Sequence, residues 1–180
     1  MLNLNLDSHS LVPDSRMFDD YLSFKPTFDI APMKGEDCRA VSELHGQRFS
    51  RRWNDGEVHS LLTHDSTFGF VAFQSNSFFG RPLGGFVLAR EVAGEAEILT
   101  IAVAEKVGRT GLGWRLMQSA IREAAERGGE TMFLEVEDSN KAAIGLYRRL
   151  GFATVAERPA YYQAADGSKA AALVMRRDLR

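Results

Sequence analysis

The feature that most constrains this chain is a short apolar run that leads into a glycine-rich turn and then into a helical pattern. The run, residues 98–103 (ILTIAV), is short and β-branched, which predicts a buried strand. After the turn, residues 108–113 (GRTGLG), apolar residues recur every four positions over 112–124, which predicts a helix that ends at Gly128-Gly129. This order gathers free backbone N–H groups at the positive end of a helix dipole, an arrangement typical of phosphate sites.

The spacing of the glycines by itself leaves two interpretations open. It follows GxxGxG, whereas the dinucleotide fingerprint requires GxGxxG, and no Gly-Lys-Ser/Thr follows as a P-loop requires. The turn is therefore either an anion site or only a tight strand-to-helix connection whose glycines satisfy the backbone geometry.

Composition limits the class of protein. The chain has 180 residues, of which 44% are hydrophobic and 26% charged, as expected for one soluble globular domain with a sizeable core. A net charge of −2 argues against binding to nucleic acid through counterion release. The sequence has neither an apolar run of the ~18 residues that a membrane span needs nor a typical signal peptide. We therefore expect a cytoplasmic protein without a direct nucleic-acid or membrane partner.

The cysteine and the histidines suggest neither a disulfide nor a metal site. The single cysteine, Cys38, lies among apolar residues, so a small buried side chain is favoured over a nucleophile. Absence of an internal disulfide fits a reducing compartment. The four histidines lack the spacing of metal ligands, and we expect no metal.

The remaining patterns predict the order of the elements. Residues 1–26 mix alternating leucines with Ser, Asp and Pro, and we interpret them as an N-terminal extension outside a domain of residues 27–180. Within the domain we predict strands at 27–31, 68–73, 85–90, 98–103, 131–137, 153–156 and 170–175, and helices at about 35–45, after Asn54, at 112–126 and after Asn140. A long loop joins the last two strands. This order predicts an α/β layered fold with a mixed sheet.

Two linked motifs carry a resemblance to a family. One is the strand and turn that end in RTGLG, and the other is LEVEDSN at residues 134–140 followed by AAIGLYRRLGF at residues 142–152. Over roughly residues 28–178 the chain resembles the GNAT N-acetyltransferases, which bind acetyl-coenzyme A. It is most similar to the bacterial ribosomal-protein-alanine N-acetyltransferases, through Phe49 and Trp53, the LEV strand, and Tyr161-Tyr162 before Asp166-Gly167.

The resemblance implies the three-layer GNAT fold, a mixed central sheet flanked by helices, and assigns the coenzyme to the turn. Backbone N–H groups of residues 109–114 would hold the pyrophosphate. The strand would pair with the pantetheine arm through its main chain, and the N–H near Val103 would polarise the acetyl carbonyl. The implied coenzyme-binding residues are Ile101, Ala102, Val103, Arg109, Thr110, Gly111, Leu112, Gly113, Trp114 and Asn140.

One position departs from the family pattern. The Gln/Arg-x-x-Gly-x-Gly motif of the family begins with a long side chain, where this chain has Gly108. One phosphate contact is therefore in doubt, and Arg109 or Lys106 could supply the charge instead. Trp114 either covers part of the coenzyme or packs on the surface.

Glu135 is the candidate general base. Strand alternation places it on the same face as Phe133 and opposite the apolar residues of its strand. A carboxylate in a central strand is costly unless it faces solvent or a cleft, so the alternative is an exposed or ion-paired glutamate. The resemblance implies a base that acts through water, with Glu137 as the second candidate.

Tyr147 is the candidate general acid. It follows Asn140 by two helical turns, so both side chains can face one ligand. The resemblance implies that Tyr147 protonates the coenzyme sulfur and that Asn140 binds the coenzyme. Half-buried packing for Tyr147 and a helix N-cap for Asn140 are the alternatives.

Four aromatic residues are weaker candidates for the acceptor site. Phe49 and Trp53 are expected to pack, and they could also line a peptide groove. Tyr161 and Tyr162 are expected in the hairpin loop that shapes the acceptor groove in N-terminal acetyltransferases.

The sequence thus predicts an acetyl-coenzyme A-dependent N-acetyltransferase that acts on a protein N-terminal α-amine. The acceptor that the resemblance favours is the N-terminal alanine of a ribosomal protein. An α-amine has a pKa near 8 against about 10.4 for lysine, so freeing a lysine nucleophile at neutral pH costs roughly 3 kcal/mol more. The alternatives are a GNAT enzyme for a small amine or a lysine side chain, and a non-catalytic coenzyme A sensor. The presence of both Glu135 and Tyr147 argues against a sensor.

Overall fold

The computed structural model describes residues 25–163 and 169–180, which build a seven-stranded sheet with helices on both faces. The elements are β1 (Phe28–Pro32), α1 (Cys38–Arg48), α2 (Asp55–Leu62), β2 (Thr67–Gln74), β3 (Leu83–Val92), β4 (Glu95–Val103), α3 (Leu112–Glu126), β5 (Thr131–Glu137), α4 (Lys141–Arg149), β6 (Ala153–Gln163) and β7 (Lys169–Asp178). Two 3-10 turns, Gly35–Asp37 and Glu105–Val107, precede α1 and α3. Except for Lys25 and Pro26, the predicted extension (residues 1–26) lies outside the described residues, as do Asp166 and Gly167.

The sheet is mixed, as the sequence predicted. Its strand order is β1-β2-β3-β4-β5-β7-β6. Strands β4 and β5 run parallel, and the other neighbours are antiparallel. The parallel pair lies in the interior of the sheet, and α3 forms the crossover between its two strands.

Neighbouring residues of β3 show which helices lie on which face. The ring of Phe86 lies 6.3 Å from that of His45 in α1. Gly85 faces the other way, because a Cβ built on it would lie 3.0 Å from Leu116 Cδ1 of α3. Helix α2 packs against α1, and Leu146 of α4 contacts the first turn of α3. Helices α1 and α2 therefore cover one face, α3 and α4 cover the other, and the predicted three layers are confirmed.

Local sequence signals account for the helix ends. The N-cap Asn54 accepts a hydrogen bond from Glu57 N–H (2.9 Å), and the Glu57 carboxylate accepts one from Asn54 N–H (2.8 Å). Helix α3 ends before Gly128, whose φ of 99° is a left-handed conformation that favours glycine. Its buried residues have the predicted spacing: Leu112, Leu116, Met117, Ala120 and Ala124.

The last hairpin corrects the prediction of a long loop. Strand β6 extends to Gln163, and Tyr162 pairs with Ala170 of β7. Tyr161 and Tyr162 therefore lie in β6 and not in the hairpin loop. A register irregularity between Arg158 and Tyr162 lets the pairing with β7 continue past Pro159.

An aromatic stack holds the connection between α1 and α2. His45 is sandwiched between Phe49 and Trp53, with ring centroids 4.3 Å and 4.9 Å away. Its Nδ1 accepts a hydrogen bond from Trp53 N–H (3.3 Å), and Ser42 Oγ donates to Trp53 O (2.8 Å). The predicted packing of Phe49 and Trp53 is confirmed. Burial lowers the pKa of His45, which therefore favours the neutral imidazole that this stack requires.

Acidification should destabilise the protein through His45. Because burial lowers the pKa of His45 in the folded state below its ordinary value of 6.5, the unfolded chain binds the proton first as the pH falls. The stability contribution is complete above that value and decreases below it, by at most about 1.4 kcal/mol per pH unit for one proton. Denaturant unfolding from about pH 8 to about pH 5 measures this dependence.

The matched comparison uses two histidine variants. His45→Gln should flatten the pH dependence of stability, whereas His64→Gln, which changes an exposed histidine, should leave it as in the parent. Equal pH slopes for the parent and His45→Gln would contradict the role given to His45.

Candidate active site

The centre of the site is a gap between the two parallel strands. Strands β4 and β5 form only three residue pairs, the last of which joins Glu97 and Phe133. Beyond that pair, β4 stays paired with β3 through Ile98 and residues 100–103, with a register irregularity at Leu99, and residues 134–137 stay paired with β7. Over these two described stretches no pair joins β4 to β5, so the strands diverge and their facing backbone edges are left unpaired.

The glycine-rich turn lies at the open end of β4. In α3 the hydrogen bond from Arg115 N–H to Gly111 O (3.2 Å) begins the helical series. The N–H groups of residues 112–114 precede that series and have no intrahelical acceptor. Together with the helix dipole they make this end of α3 suitable for an anionic ligand.

Two residues of the turn have positive φ. Gly111, the N-cap of α3, has φ of 82°, which suits glycine. Arg109 has φ of 67°, a conformation that costs a residue with a Cβ roughly 1–2 kcal/mol and that is concentrated at functional loops. The hydroxyl of Thr110 donates to Val107 O (2.9 Å) and holds the turn. Arg109 and Lys106 are both exposed there, so either can supply the charge that Gly108 lacks.

The start of α3 is packed closely against its neighbours. A Cβ built on Gly113 would lie 3.4 Å from Leu146 Cδ2 and 3.7 Å from Val103 Cγ2. This glycine therefore lets α3 approach both α4 and the end of β4. The side chain of Leu112 is buried, and that of Trp114 is half-buried against the core, so surface packing is shown for Trp114. Leu112 can offer a ligand only its backbone.

Glu135 lies on the face of the sheet that carries α1. Arg90 alternates with Phe86 on that face of β3, and it forms an ion pair with Glu97 (2.7 Å). Glu97 pairs with Phe133, and the side chain of Glu135, two residues on, points the same way. The opposite face of β5 is apolar and buried, as predicted, through Met132, Leu134 and Val136.

An ion pair engages the candidate base. Arg158 Nη1 of β6 lies 2.7 Å from Glu135 Oε1, and the two side chains are 55% and 24% exposed. The alternative of an ion-paired strand glutamate is therefore realised. The ion pair does not exclude a role of Glu135 as general base, because an ionised carboxylate has about four acceptor positions. Glu137, the second candidate, accepts a hydrogen bond from the Ser139 hydroxyl in the turn before α4.

The candidate acid lies on the other face, in α4. Tyr147 is buried, with its ring edge-on to Phe152 at 6.1 Å. Asn140 is the N-cap of α4, and its Oδ1 accepts a hydrogen bond from Ala143 N–H (3.1 Å). Packing for Tyr147 and capping for Asn140 are thus both present. The gap between β4 and β5 is the opening in the sheet between this face and the face that bears Glu135.

The arrangement can bring two reactants together from opposite sides. An extended ligand could pair with the free edge of β4 while its phosphates rest on the start of α3. A nucleophile could then enter from the α1 face, where Glu135 offers a carboxylate. Proton acceptor and proton donor would lie on different sides of the reacting bond.

Sequence reasoning missed two polar residues beside the gap. The pairing of Arg158 with Glu135 could not be found, because the extent of β6 was not predicted. Thr100 is a polar residue in an otherwise apolar run, a visible signal that the prediction did not use.

The side chain of Cys38 is buried, as expected. Burial raises the pKa of its thiol, so the reactive thiolate is disfavoured. Residues 25–163 and 169–180 contain no group of three or more His, Cys, Asp or Glu side chains that could hold a metal ion. Over the same residues, no helix is both long enough and apolar enough to cross a membrane.

Comparison with known proteins gives consistent matches. The model of the Acetyltransferase (GNAT) family matches residues 38–152. Over 92 residues the chain is 39% identical to the ribosomal protein bS18-alanine N-acetyltransferase of Escherichia coli (strain K12), covering 51% of this chain and 62% of that protein. It is 39% identical over 77 residues to an N-alpha-acetyltransferase of Sulfurisphaera tokodaii, covering 42% and 45%. The matches thus span less than two thirds of these curated relatives.

A solved structure extends the match over most of the chain. The crystal structure of the ribosomal-protein-S18-alanine N-acetyltransferase from Escherichia coli has a TM-score of 0.76 and 29% identity, covering 85% of this chain and 94% of that one. The layered mixed sheet is therefore the same in both proteins.

The glycine turn can be tested by comparing both ends of α3. Gly111 and Gly128 have φ of 82° and 99°, and a Cβ built on either lies within 4 Å of no other atom in the described chain. Substitution by alanine should therefore cost each variant a similar ~1–2 kcal/mol of stability. Only Gly111→Ala should weaken acetyl-coenzyme A binding, by about 10-fold or more, because it alters the anion turn.

Calorimetry measures the affinities, and denaturant unfolding measures the stabilities. Gly128→Ala is the control for helix-end strain. Equal coenzyme affinity in the two variants would remove the turn from the site.

Proposed function

Since the chain belongs to the Acetyltransferase (GNAT) family, we propose that it transfers the acetyl group of acetyl-coenzyme A to the α-amine of a protein N-terminus. The observation that carries this proposal is the divergence of β4 from β5 after Glu97 and Phe133, between an anion-binding helix end and a carboxylate. The Escherichia coli and Sulfurisphaera tokodaii relatives are named for alanine N-acetylation and N-alpha-acetylation, which supports an α-amine as acceptor.

In this proposal the coenzyme lies along the free edge of β4 and the start of α3. Ile101, Ala102 and Val103 pair with the amides of pantetheine as an added strand would. The N–H groups of the turn hold the pyrophosphate, with Arg109 as an added charge and Asn140 as a further contact. The proposed coenzyme-binding residues are Ile101, Ala102, Val103, Arg109, Thr110, Gly111, Leu112, Gly113, Trp114 and Asn140.

The chemistry follows from the two faces of the sheet. The acceptor amine enters from the α1 face, and Glu135 removes a proton from it. The nitrogen attacks the acetyl carbonyl, whose developing negative charge is stabilised by the N–H near Val103. Tyr147, on the opposite face, protonates the leaving thiolate. Holding amine and thioester in one gap removes the entropy cost of bringing them together.

The ion pair of Arg158 with Glu135 also bears on which amine can act as acceptor. An ammonium group that approaches Glu135 meets the guanidinium that already holds the carboxylate at 2.7 Å. Like charges repel, so the α1 face favours an amine that loses its proton readily. An α-amine does so near pH 8, whereas a lysine side chain does so near pH 10.4. This difference favours an N-terminal acceptor.

The finer identity of the acceptor rests on the relatives. The Escherichia coli relative is named for the alanine of ribosomal protein bS18, and we infer an N-terminal alanine of a ribosomal protein as the acceptor here. Such an acceptor implies a cytoplasmic enzyme. Acetylation of a small amine or a lysine side chain remains the second candidate function, since the gap could admit either.

A panel of acceptors tests the proposed function. Peptides that begin with Ala, Ser or Met, and a blocked peptide with an internal Lys, are assayed with acetyl-coenzyme A by thiol release. The Ala-initiated peptide should react about 10²-fold faster than the lysine peptide at neutral pH, because its amine is far more often neutral. Reaction at lysine alone would replace the proposal by the second candidate, and thiol release with none of the peptides would reject N-terminal acetylation.

Replacing Glu135 tests the base. Glu135→Gln should keep the fold, because a partly exposed ion pair contributes only about 0–1 kcal/mol. It should lower turnover of the Ala-initiated peptide at neutral pH by about 10²- to 10⁴-fold, with a smaller loss at higher pH where the amine is already neutral. Steady-state rates across a pH series measure both effects.

Glu97→Gln is the matched control. Glu97 also pairs with an arginine, Arg90, on the same face, but it lies at the last β4–β5 pair, before the strands diverge. Glu97→Gln should react at the parental rate. An equal loss in both variants, or a loss in Glu135→Gln that is the same at every pH, would make Glu135 a structural carboxylate.

A further inference from the structure

Thr100 is a buried polar residue beside the gap to which the proposed chemistry gives no role. Its side chain is 7% exposed, and Oγ1 has no hydrogen-bond partner in the part of the chain that the structure describes. Leaving a buried hydroxyl unpaired costs about 1–3 kcal/mol, and a valine of the same shape would avoid this cost. Buried polar atoms without partners are rare, and they indicate a bound water or a functional role.

Register places Thr100 on the same face as Glu135. Thr100 pairs with Leu88 of β3, which alternates with Phe86 on the α1 face. Thr100 also lies beyond Glu97, the last residue of β4 that pairs with β5. Its hydroxyl and the carboxylate of Glu135 therefore border the same side of the gap, one on each of the diverging strands.

We propose that Thr100 is a positioning residue that holds, together with Glu135, a water molecule in the gap through which the acceptor amine loses its proton. A threonine hydroxyl both donates and accepts hydrogen bonds, and a buried water requires two to four polar partners. Thr100 Oγ1, the Glu135 carboxylate and the N–H of the acceptor supply three. This inference rests on the proposed function.

Protons and electrons balance in this acetyl transfer. The ammonium transfers a proton to the water as the water transfers one of its own to Glu135, so the water is regenerated. The freed lone pair on nitrogen forms the bond to the acetyl carbon, and the carbon–sulfur bond breaks with its electron pair on sulfur, which takes the proton of the Tyr147 hydroxyl. The nitrogen loses its second proton as the amide forms, and this proton restores the Tyr147 hydroxyl. The proton on Glu135 is released to solvent after the amide product forms.

A positioning role and a merely structural role for Thr100 predict different effects of substitution. Thr100→Val removes the unpaired hydroxyl and keeps the shape, so the melting temperature should be unchanged or higher. The kcat with an Ala-initiated peptide should nevertheless fall about 10-fold at neutral pH, less than the loss of the base itself, while KM for acetyl-coenzyme A stays unchanged. Thr100→Ser, which keeps the hydroxyl, should retain most of the activity.

Thr131→Val is the matched control, because Thr131 lies on the same face of the sheet but at the end where β4 and β5 are paired. It should have the parental rate. The double variant Thr100→Val/Glu135→Gln should be no more than about twofold slower than Glu135→Gln alone, since both residues act through one water. A Thr100→Val variant with parental kcat, or losses that multiply in the double variant, would overturn the inference.

A crystal structure gives a readout that does not depend on turnover. An ordered water within hydrogen-bond distance of both Thr100 Oγ1 and a Glu135 carboxylate oxygen is expected in the parent and should be missing in Thr100→Val. A parent structure without this water overturns the inference even if the peptides are acetylated. Conversely, a parent that contains the water but acetylates no N-terminal peptide supports the site and rejects the proposed function, so the two failures are distinguishable.

Discussion

The rest of the structure depends on the early end of one parallel strand pair. Strands β4 and β5 share three residue pairs and then diverge, while β3 holds the outer edge of β4 and β7 holds the outer edge of β5. Because each strand is fixed along its outer edge, the gap cannot close by local bending. The unpaired backbone edges inside it need partners, and an amide-bearing ligand can supply them.

The same divergence separates the two halves of the proposed chemistry. Met132, Leu134 and Val136 make one face of β5 apolar, so the side that carries α3 and α4 is suited to a thioester and its leaving group. On the other face Glu135 is ion-paired with Arg158 and partly exposed. A carboxylate and a buried tyrosine can therefore serve one reaction without competing for one environment.

The α1 face also shows how stability and function are linked. The stack of His45 with Phe49 and Trp53 holds the connection between α1 and α2 on the face from which we propose that the acceptor enters. Thr100 illustrates the opposite case, a buried hydroxyl at the edge of the gap without a hydrogen-bond partner among the described residues. Such a departure from good packing is expected at functional sites.

Local chemistry in the sequence was sufficient for the order of the elements and for the glycine-rich turn, but not for the extent of β6. The apolar period of α3, the cap at Asn54 and the positive φ of Gly111 each depend on residues that are neighbours in the chain, so pattern alone could predict them. The resemblance to the GNAT family singled out Glu135 and Tyr147 as candidates. Only the tertiary structure decided which groups lie together: the pairing of Arg158 with Glu135, and the placement of Thr100 on the same face as Glu135, depend on strand register and on where β4 leaves β5. Both arrangements involve residues far apart in the chain, and the register between strands is set by packing of the whole sheet rather than by any local pattern.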